Sequence, residues 1–180
     1  MVDNSINFKP SMVTLLGCLI LYHTKMTTKK MESKLSKRLA EVIEALPLRD
    51  GIRVLEIGCG PGAAAREISR RIGNGHILAI DRSAKAIRQA IAGSKPEIET
   101  GRLAFRQVAV ENFELQSNEK HFDIAIAVRV GALDGRHPEI EKQSLTKIAK
   151  ALTKKGKLFI DGGNPLKEIL LDDYRKNAGY

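Results

Sequence analysis

The chain has 180 residues, of which 43% are hydrophobic and 28% charged. This composition fits one globular domain and disfavours wholesale disorder, a collagen-like repeat and a polytopic membrane protein. Its 30 Lys and Arg against 21 Asp and Glu give a net charge of +9, which favours anionic ligands without naming one. The two cysteines, Cys18 and Cys59, are too few for a disulfide framework or a zinc site. We therefore expect a cytoplasmic protein without a metal site.

Residues 1–29 are predicted to form a leader outside the fold. Residues 12–22 form an apolar run of about eleven residues, whereas a membrane helix needs about 20, so no membrane span is expected. No small-x-small cleavage pattern follows the run, which disfavours export. The leader is interpreted as an amphipathic or poorly ordered segment, or as an over-extended start that precedes a working Met26 or Met31. Residues 30–180 are expected to form a single domain.

The first predicted helix lies within residues 30–50 and ends at Pro47, because apolar residues recur there at intervals of three and four. These residues are Leu35, Leu39, Val42, Ile43 and Leu46.

From there on, apolar strands alternate with helices. The predicted strands cover residues 52–57, 76–80, 103–110, 122–130 and 157–161. The predicted helices cover residues 63–72, 83–92 and 138–152, with Ser83 as the N-cap of the second. A short helix is expected to begin at Asn164-Pro165, with Leu166, Ile169 and Leu170 on one face and a polar tail after it. The alternation predicts a doubly wound α/β domain, a mostly parallel sheet of at least five strands with helices on both faces.

A glycine-rich loop follows the first predicted strand, in the segment Glu56-Ile57-Gly58-Cys59-Gly60-Pro61-Gly62. Glycines at alternate positions let a ligand approach the backbone closely. About twenty residues later Asp81 ends the second strand, where its two oxygens can accept from both hydroxyls of a ribose. The combination predicts a nucleoside site. The spacing G-x-G-x-G differs from the G-x-G-x-x-G of dinucleotide sites, which disfavours a nicotinamide enzyme, and the absence of Gly-Lys-Ser/Thr excludes a P-loop.

The segment from Val54 to Gly62 resembles the first motif of the class I S-adenosylmethionine-dependent methyltransferases, an acidic residue followed by G-x-G-x-G. The resemblance extends from about Leu35 to Gly163. It implies the Rossmann-like methyltransferase fold, S-adenosylmethionine as cofactor and a methyl-transfer activity. In the first motif it implies that Glu56 helps to orient the cofactor's amino group, and that the methionine and ribose portions are lined by Gly58, Cys59, Gly60 and Gly62.

The resemblance also assigns the ribose hydroxyls to Asp81 and the adenine edge to Arg82. Family members commonly carry an acid followed by alanine after the third strand, whereas this chain has Val108-Ala109 there. Adenine recognition is therefore expected to use the backbone at Ala109 and Val110, or the displaced Glu111. Val108 and Val128 complete the predicted set of cofactor-binding residues.

The loop after the fourth predicted strand, residues 129–138, is the expected place for residues that assist methyl transfer. His137 is a candidate general base, Asp134 is expected to orient His137 or the substrate, and Arg129 or Arg136 to receive an anionic group. The alternative is a turn at Asp134-Gly135 with solvated charges.

The acceptor is expected to be a small molecule. RNA is the alternative acceptor, because lysines cluster around residues 147–157 and arginines at residues 66–71, but aromatic residues make up only 4%. A second alternative is a non-catalytic S-adenosylmethionine-binding module that works with a partner, since the adenine acid is missing and the sheet is expected to be shortened after the fifth strand. The exposed sheet edge suggests a homodimer.

Overall fold

The structure is a computed structural model that describes residues 35–176. The leader predicted for residues 1–29 lies outside the described residues. The strands are β1 (Arg53–Ile57), β2 (His76–Asp81), β3 (Leu103–Gln107), β4 (Phe122–Ala127), β5 (Leu152–Asp161) and β6 (Leu166–Ile169). The helices are α1 (Lys37–Glu44), α2 (Ala63–Arg71), α3 (Ala84–Ala92), α4 (Lys95–Glu99), α5 (Pro138–Ala151) and α6 (Asp172–Lys176), with a 3₁₀ turn at Val110–Asn112. Among these helices none is long and apolar enough to cross a membrane.

The six strands form one sheet in the order β3-β2-β1-β4-β5-β6. Strands β1 to β5 are parallel, and β6 runs antiparallel to β5. At the centre, Leu55 of β1 is in register with Leu78 of β2 on one side and with Ala125 of β4 on the other. The strand order reverses between β1 and β4, and in such sheets ligands bind beyond the carboxyl ends of the strands at this switch point. The predicted doubly wound fold is confirmed.

Both faces of the sheet are covered, which is why β1 reads as a nearly continuous apolar run. Val54 packs into a buried cluster with α1, α2 and α3, whereas Leu55 and Ile57 pack into a second cluster with α5. The two clusters place the glycine-rich loop at the end of a strand whose position is fixed from both sides.

Two strands end earlier than predicted, and this matters for the site. Strand β3 ends at Gln107 rather than at residue 110, because the chain turns into the 3₁₀ turn. Strand β4 ends at Ala127 rather than at residue 130, since Arg129 has a φ of 57°, which an extended strand does not allow. The residues directly after β3 and those directly after β4 therefore lie outside the sheet and can face the crevice.

Two other differences from the predicted elements have local causes. Strand β5 begins at Leu152 instead of residue 157, directly after α5, because it pairs with the start of β4 at Phe122. Helix α4 was not predicted, although Pro96 in its first turn is a recognised start signal.

The helix predicted from Asn164-Pro165 is wrong, because this segment reverses the chain and leads into β6. Asp161 of β5 pairs with Leu166, so the four residues between them form a hairpin loop. A Cβ on Gly163 would lie 2.0 Å from the carbonyl oxygen of Leu166, so the turn requires glycine. Leu166 and Ile169 pack against opposite faces of the sheet, as residues three apart do in a strand. The polar tail predicted after this segment contains α6. The predicted homodimer across this edge stays a prediction.

Candidate functional site

The glycine-rich loop after β1 is held against the end of β2 by backbone hydrogen bonds. The N–H groups of Gly58 and Cys59 donate to the carbonyl oxygen of Ile80 at 2.8 and 3.0 Å. The N–H of Gly60 donates to Oδ2 of Asp81 at 2.9 Å. The loop and the acid that the sequence singled out are thus in direct contact.

The three glycines of the loop have positive φ, but their surroundings differ. A Cβ on Gly58 would lie 2.7 Å from Cγ2 of Val130, so glycine allows the loop after β4 to approach. A Cβ on Gly62 would lie 2.9 Å from the ring of Phe105, so this glycine serves the packing of α2. A Cβ on Gly60 would meet nothing within 4 Å. Space for a ligand against the backbone is therefore open at Gly60.

Asp81 uses both carboxylate oxygens to organise the backbone around it. Oδ2 accepts from Gly60, and Oδ1 accepts from the N–H of Ser83 at 2.8 Å. Each carboxylate oxygen has two acceptor positions, so one on each oxygen is available to a ligand. This arrangement suits a pair of vicinal hydroxyls.

A cavity of about 260 Å³ lies beyond the carboxyl ends of β1 to β4. This volume is just below the range of about 300 to 1,000 Å³ that is usual for small-molecule sites. Ten residues that the sequence singled out for the site line the cavity, namely Gly58, Asp81, Arg82, Val108, Ala109, Val110, Glu111, Arg129, Arg136 and His137. The cavity thus brings residues predicted to bind the cofactor together with residues of the loop after β4, and their roles stay predictions.

Six predicted residues are not in the cavity lining, namely Glu56, Cys59, Gly60, Gly62, Val128 and Asp134. Cys59 is 6% exposed and belongs to the apolar cluster under α1 to α3. Burial raises the pKa of its thiol, with smaller contributions from Glu56 and Asp81 in the same direction. Val128 packs against the same cluster. The structure thus gives Cys59 and Val128 packing contacts, and their cofactor contacts stay predictions.

Several lining residues were not predicted as site residues. Apolar walls come from Ile57 and Ile80 at the strand ends and from Ile140 on α5. The alternation of apolar residues signals burial but does not show which buried side chains border a cavity.

Glu56 lies beneath the glycine-rich loop. It is 7% exposed, and its Oε2 has no hydrogen-bond partner within the described part of the chain. Burial raises its pKa to about 8, against the opposing effects of Arg66 and of a hydrogen bond from the N–H of Ala65, while Asp81 adds to the rise. The unpaired Oε2 is an acceptor that a cationic amino group would satisfy, and a positive charge beside it would favour the ionised form of Glu56.

The segment after β3 supplies a carboxylate, Glu111, three residues beyond the position where family members commonly carry an acid. The N–H of Val108 donates to the carbonyl oxygen of Asp81 at 3.0 Å, and Ala109 follows in the cavity wall. Glu111, in the 3₁₀ turn, also lines the cavity, and its carbonyl oxygen accepts from Gln143 of α5 at 2.9 Å. The cavity thus contains an acid on this side despite the apolar Val108.

In the loop after β4, the candidate residues Asp134 and His137 contact different partners. Arg136 binds both oxygens of Asp134 at 2.7 to 2.9 Å, and this contact is the main reason that the pKa of Asp134 is lowered. Nδ1 of His137 lies 3.3 Å from Oε1 of Glu139 instead. Asp134 therefore orients Arg136, and Glu139 is the carboxylate beside His137.

The polar groups in and beside the cavity fit S-adenosylmethionine. Asp81, in the cavity wall, offers acceptors for two hydroxyls. Outside the cavity lining, Gly60 leaves open backbone and Glu56 has an unpaired buried oxygen. The fold and the crevice define the protein as a nucleoside-binding α/β domain with its site at the switch point.

Comparison with known proteins shows which family within this class the chain resembles. Residues 48–178 match the family model described as "Methyltransferase domain". The ubiquinone biosynthesis O-methyltransferase of Dictyostelium discoideum is 26% identical over 121 residues, which cover 64% of this chain and 36% of that protein. The trans-aconitate 2-methyltransferase of Rhodopseudomonas palustris is 34% identical over 61 residues, which cover 34% of this chain and 24% of that protein. The chain thus matches about a third or less of these curated relatives.

A solved structure shows the same fold over most of the chain. The TehB-like SAM-dependent methyltransferase from Corynebacterium glutamicum superimposes with a TM-score of 0.53 and 17% identity, covering 92% of this chain and 81% of that one. The chain belongs to the methyltransferase domain family. The predicted resemblance is confirmed, and so is S-adenosylmethionine as the cofactor of the family.

The raised pKa of Glu56 predicts how stability depends on pH. Between its ordinary value of 4.5 and about 8, the folded protein keeps a proton that the unfolded chain has lost. Raising the pH through this window therefore destabilises the folded state, by up to about 1.4 kcal/mol per pH unit. Glu56→Gln should remove this loss, because the amide does not ionise.

Urea unfolding of wild type and Glu56→Gln at pH 5, 6, 7 and 8 checks this prediction. The wild type should lose stability relative to the variant as the pH rises. A difference that stays constant over this range would show that Glu56 is ionised in the folded protein.

Proposed function

We propose that this chain is an S-adenosylmethionine-dependent methyltransferase that acts on a small-molecule acceptor. The observation that carries the proposal is the cavity at the switch point, which brings Gly58 and Asp81 together with the loop of Arg129 and His137. One side of this cavity has the acceptors for a nucleoside, and the other side has ionisable side chains. The two curated relatives are by their names an O-methyltransferase of ubiquinone biosynthesis and a 2-methyltransferase of trans-aconitate, which agrees with this proposal.

The cofactor-side residues would hold S-adenosylmethionine in one orientation. Asp81 would accept from the ribose hydroxyls, and Glu56 would accept from the amino group below the glycine-rich loop. Arg82 and Ala109 would border the adenine, with Glu111 as the acceptor for its amino group. The cofactor supplies a methyl group on a positively charged sulfur, so the protein mainly contributes orientation and exclusion of water.

We propose that His137 accepts the proton of the acceptor's attacking group. Imidazole is the side chain best suited to exchange protons near neutral pH. His137 lines the cavity at the start of α5, and its ring packs so closely on Gly131 that a Cβ there would lie 2.8 Å from Cδ2. Packing on Gly131 and the neighbouring Glu139 would hold the ring in one position.

The surface charges favour a small molecule over RNA. In the two basic clusters, Lys157 pairs with Glu168 at 2.9 Å and Arg70 pairs with Glu97 at 2.8 Å. Such pairs reduce the positive charge that a nucleic-acid backbone would need. The non-catalytic alternative predicts cofactor binding without turnover of any acceptor, so binding and turnover have to be measured separately.

The first prediction of the proposed function concerns cofactor binding. S-adenosylhomocysteine should bind the wild type, and Asp81→Asn should raise its dissociation constant at least tenfold, because the amide has one acceptor oxygen fewer. Asp172→Asn, an exposed acid on α6, is the matched control and should leave the constant within twofold.

Isothermal titration calorimetry measures these constants, and the melting temperature of each variant reports whether it is folded. Equal affinity in wild type and Asp81→Asn would contradict the assigned role of Asp81. Binding of a nicotinamide dinucleotide instead would contradict the proposed cofactor.

The second prediction concerns the proton acceptor. With an acceptor identified from the release of S-adenosylhomocysteine, His137→Gln should lower kcat about 100-fold or more and leave KM within a few-fold. The acidic limb of the pH–rate profile should also disappear. His121→Gln, at the opposite end of the sheet, is the control. An unchanged kcat and profile in His137→Gln would rule out His137 as the base.

A further inference from the structure

Arg129 follows β4 at the part of the crevice that the cofactor would leave open. If the cofactor binds as proposed, it occupies the space at the carboxyl ends of β1, β2 and β3, next to Asp81 and Ala109. Strand β4 lies on the other side of β1. Arg129 lines the cavity there and is an exposed residue. Arg129 therefore lies on the side of the cavity that is left for the methyl acceptor.

The backbone of Arg129 is held in a conformation that non-glycine residues seldom adopt. Its φ is 57°, in the left-handed region. Its N–H donates to Oδ1 of Asp161 at 2.8 Å, and its carbonyl oxygen accepts from Nη2 of Arg136 at 3.1 Å. Strained residues of this kind occur often at ligand-binding sites, where neighbouring contacts hold them. The direction in which the side chain of Arg129 leaves the backbone is therefore fixed by the fold.

The charged side chains around Arg129 are paired with other residues. Asp161 pairs with Arg38 of α1 at 3.2 Å and accepts the N–H of Arg129. Arg136 is bound on both oxygens of Asp134. Within residues 35–176, no carboxylate lies at ion-pair distance from the guanidinium of Arg129. The acceptor side of the cavity thus presents one positive charge without a protein counter-charge.

We propose that Arg129 binds a carboxylate of the methyl acceptor, which makes the acceptor a small carboxylic acid. This inference rests on the proposed methyltransferase function. The planar guanidinium presents two parallel N–H donors that match the two oxygens of a carboxylate. Because Arg136 is already paired with Asp134, Arg129 is the guanidinium that remains for this carboxylate. Of the two arginines that the sequence offered for an anionic group, the structure favours Arg129.

The test uses tricarballylate, a flexible acid with three carboxylates, as a probe on protein saturated with S-adenosylhomocysteine. Calorimetry of the full chain should show binding of tricarballylate and none of its neutral triamide. Arg129→Gln should raise the dissociation constant of tricarballylate at least tenfold, and Arg129→Lys should raise it less, because Lys keeps the charge. Arg88→Gln, an exposed arginine on α3 outside the cavity lining, is the matched control and should stay within twofold of wild type.

The outcomes separate this inference from the proposed function. S-adenosylhomocysteine should bind Arg129→Gln as it binds wild type, which also shows that the variant is folded. If S-adenosylhomocysteine fails to bind wild type, the proposed function itself is wrong. If it binds but tricarballylate does not, or if Arg88→Gln weakens tricarballylate as much as Arg129→Gln does, the carboxylate subsite is overturned.

Discussion

The hydrogen bond from the N–H of Gly60 to the carboxylate of Asp81 is the contact on which the rest of the site depends. It connects the loop after β1 to the end of β2, while the other oxygen of Asp81 accepts from Ser83 at the start of α3. One side chain thus fixes the glycine-rich loop, the end of a strand and the start of a helix. The same carboxylate is left with an acceptor position on each oxygen, so the group that organises the backbone is also the group that would bind the ribose.

A second carboxylate has a comparable role on the other side of the switch point. Asp161, at the end of β5, accepts from the N–H of Arg129 and pairs with Arg38 of α1. Asp81 therefore arranges the side proposed for the cofactor, and Asp161 arranges the side proposed for the acceptor. Both residues lie at the carboxyl ends of parallel strands, where a doubly wound sheet places its ligand.

The sequence predicts most of the fold because the parallel strands are buried on both faces and read as apolar runs. It misses β6 because Leu166 and Ile169, three residues apart, fit one face of a helix as well as opposite faces of a strand. It also cannot separate packing from binding among the loop glycines, since the contact of Gly62 with Phe105 depends on a strand more than forty residues away. The ion pair between Arg136 and Asp134 is local, but the sequence does not show that it leaves Arg129 unpaired.

A crystal structure of the protein with S-adenosylhomocysteine tests this account most directly. Both ribose hydroxyls should lie within about 3 Å of the carboxylate oxygens of Asp81. The adenine should lie between Arg82 and Ala109, and the crevice beside Arg129 should be free of the ligand. A ligand bound away from Asp81, or one that fills the space beside Arg129, would contradict these assignments.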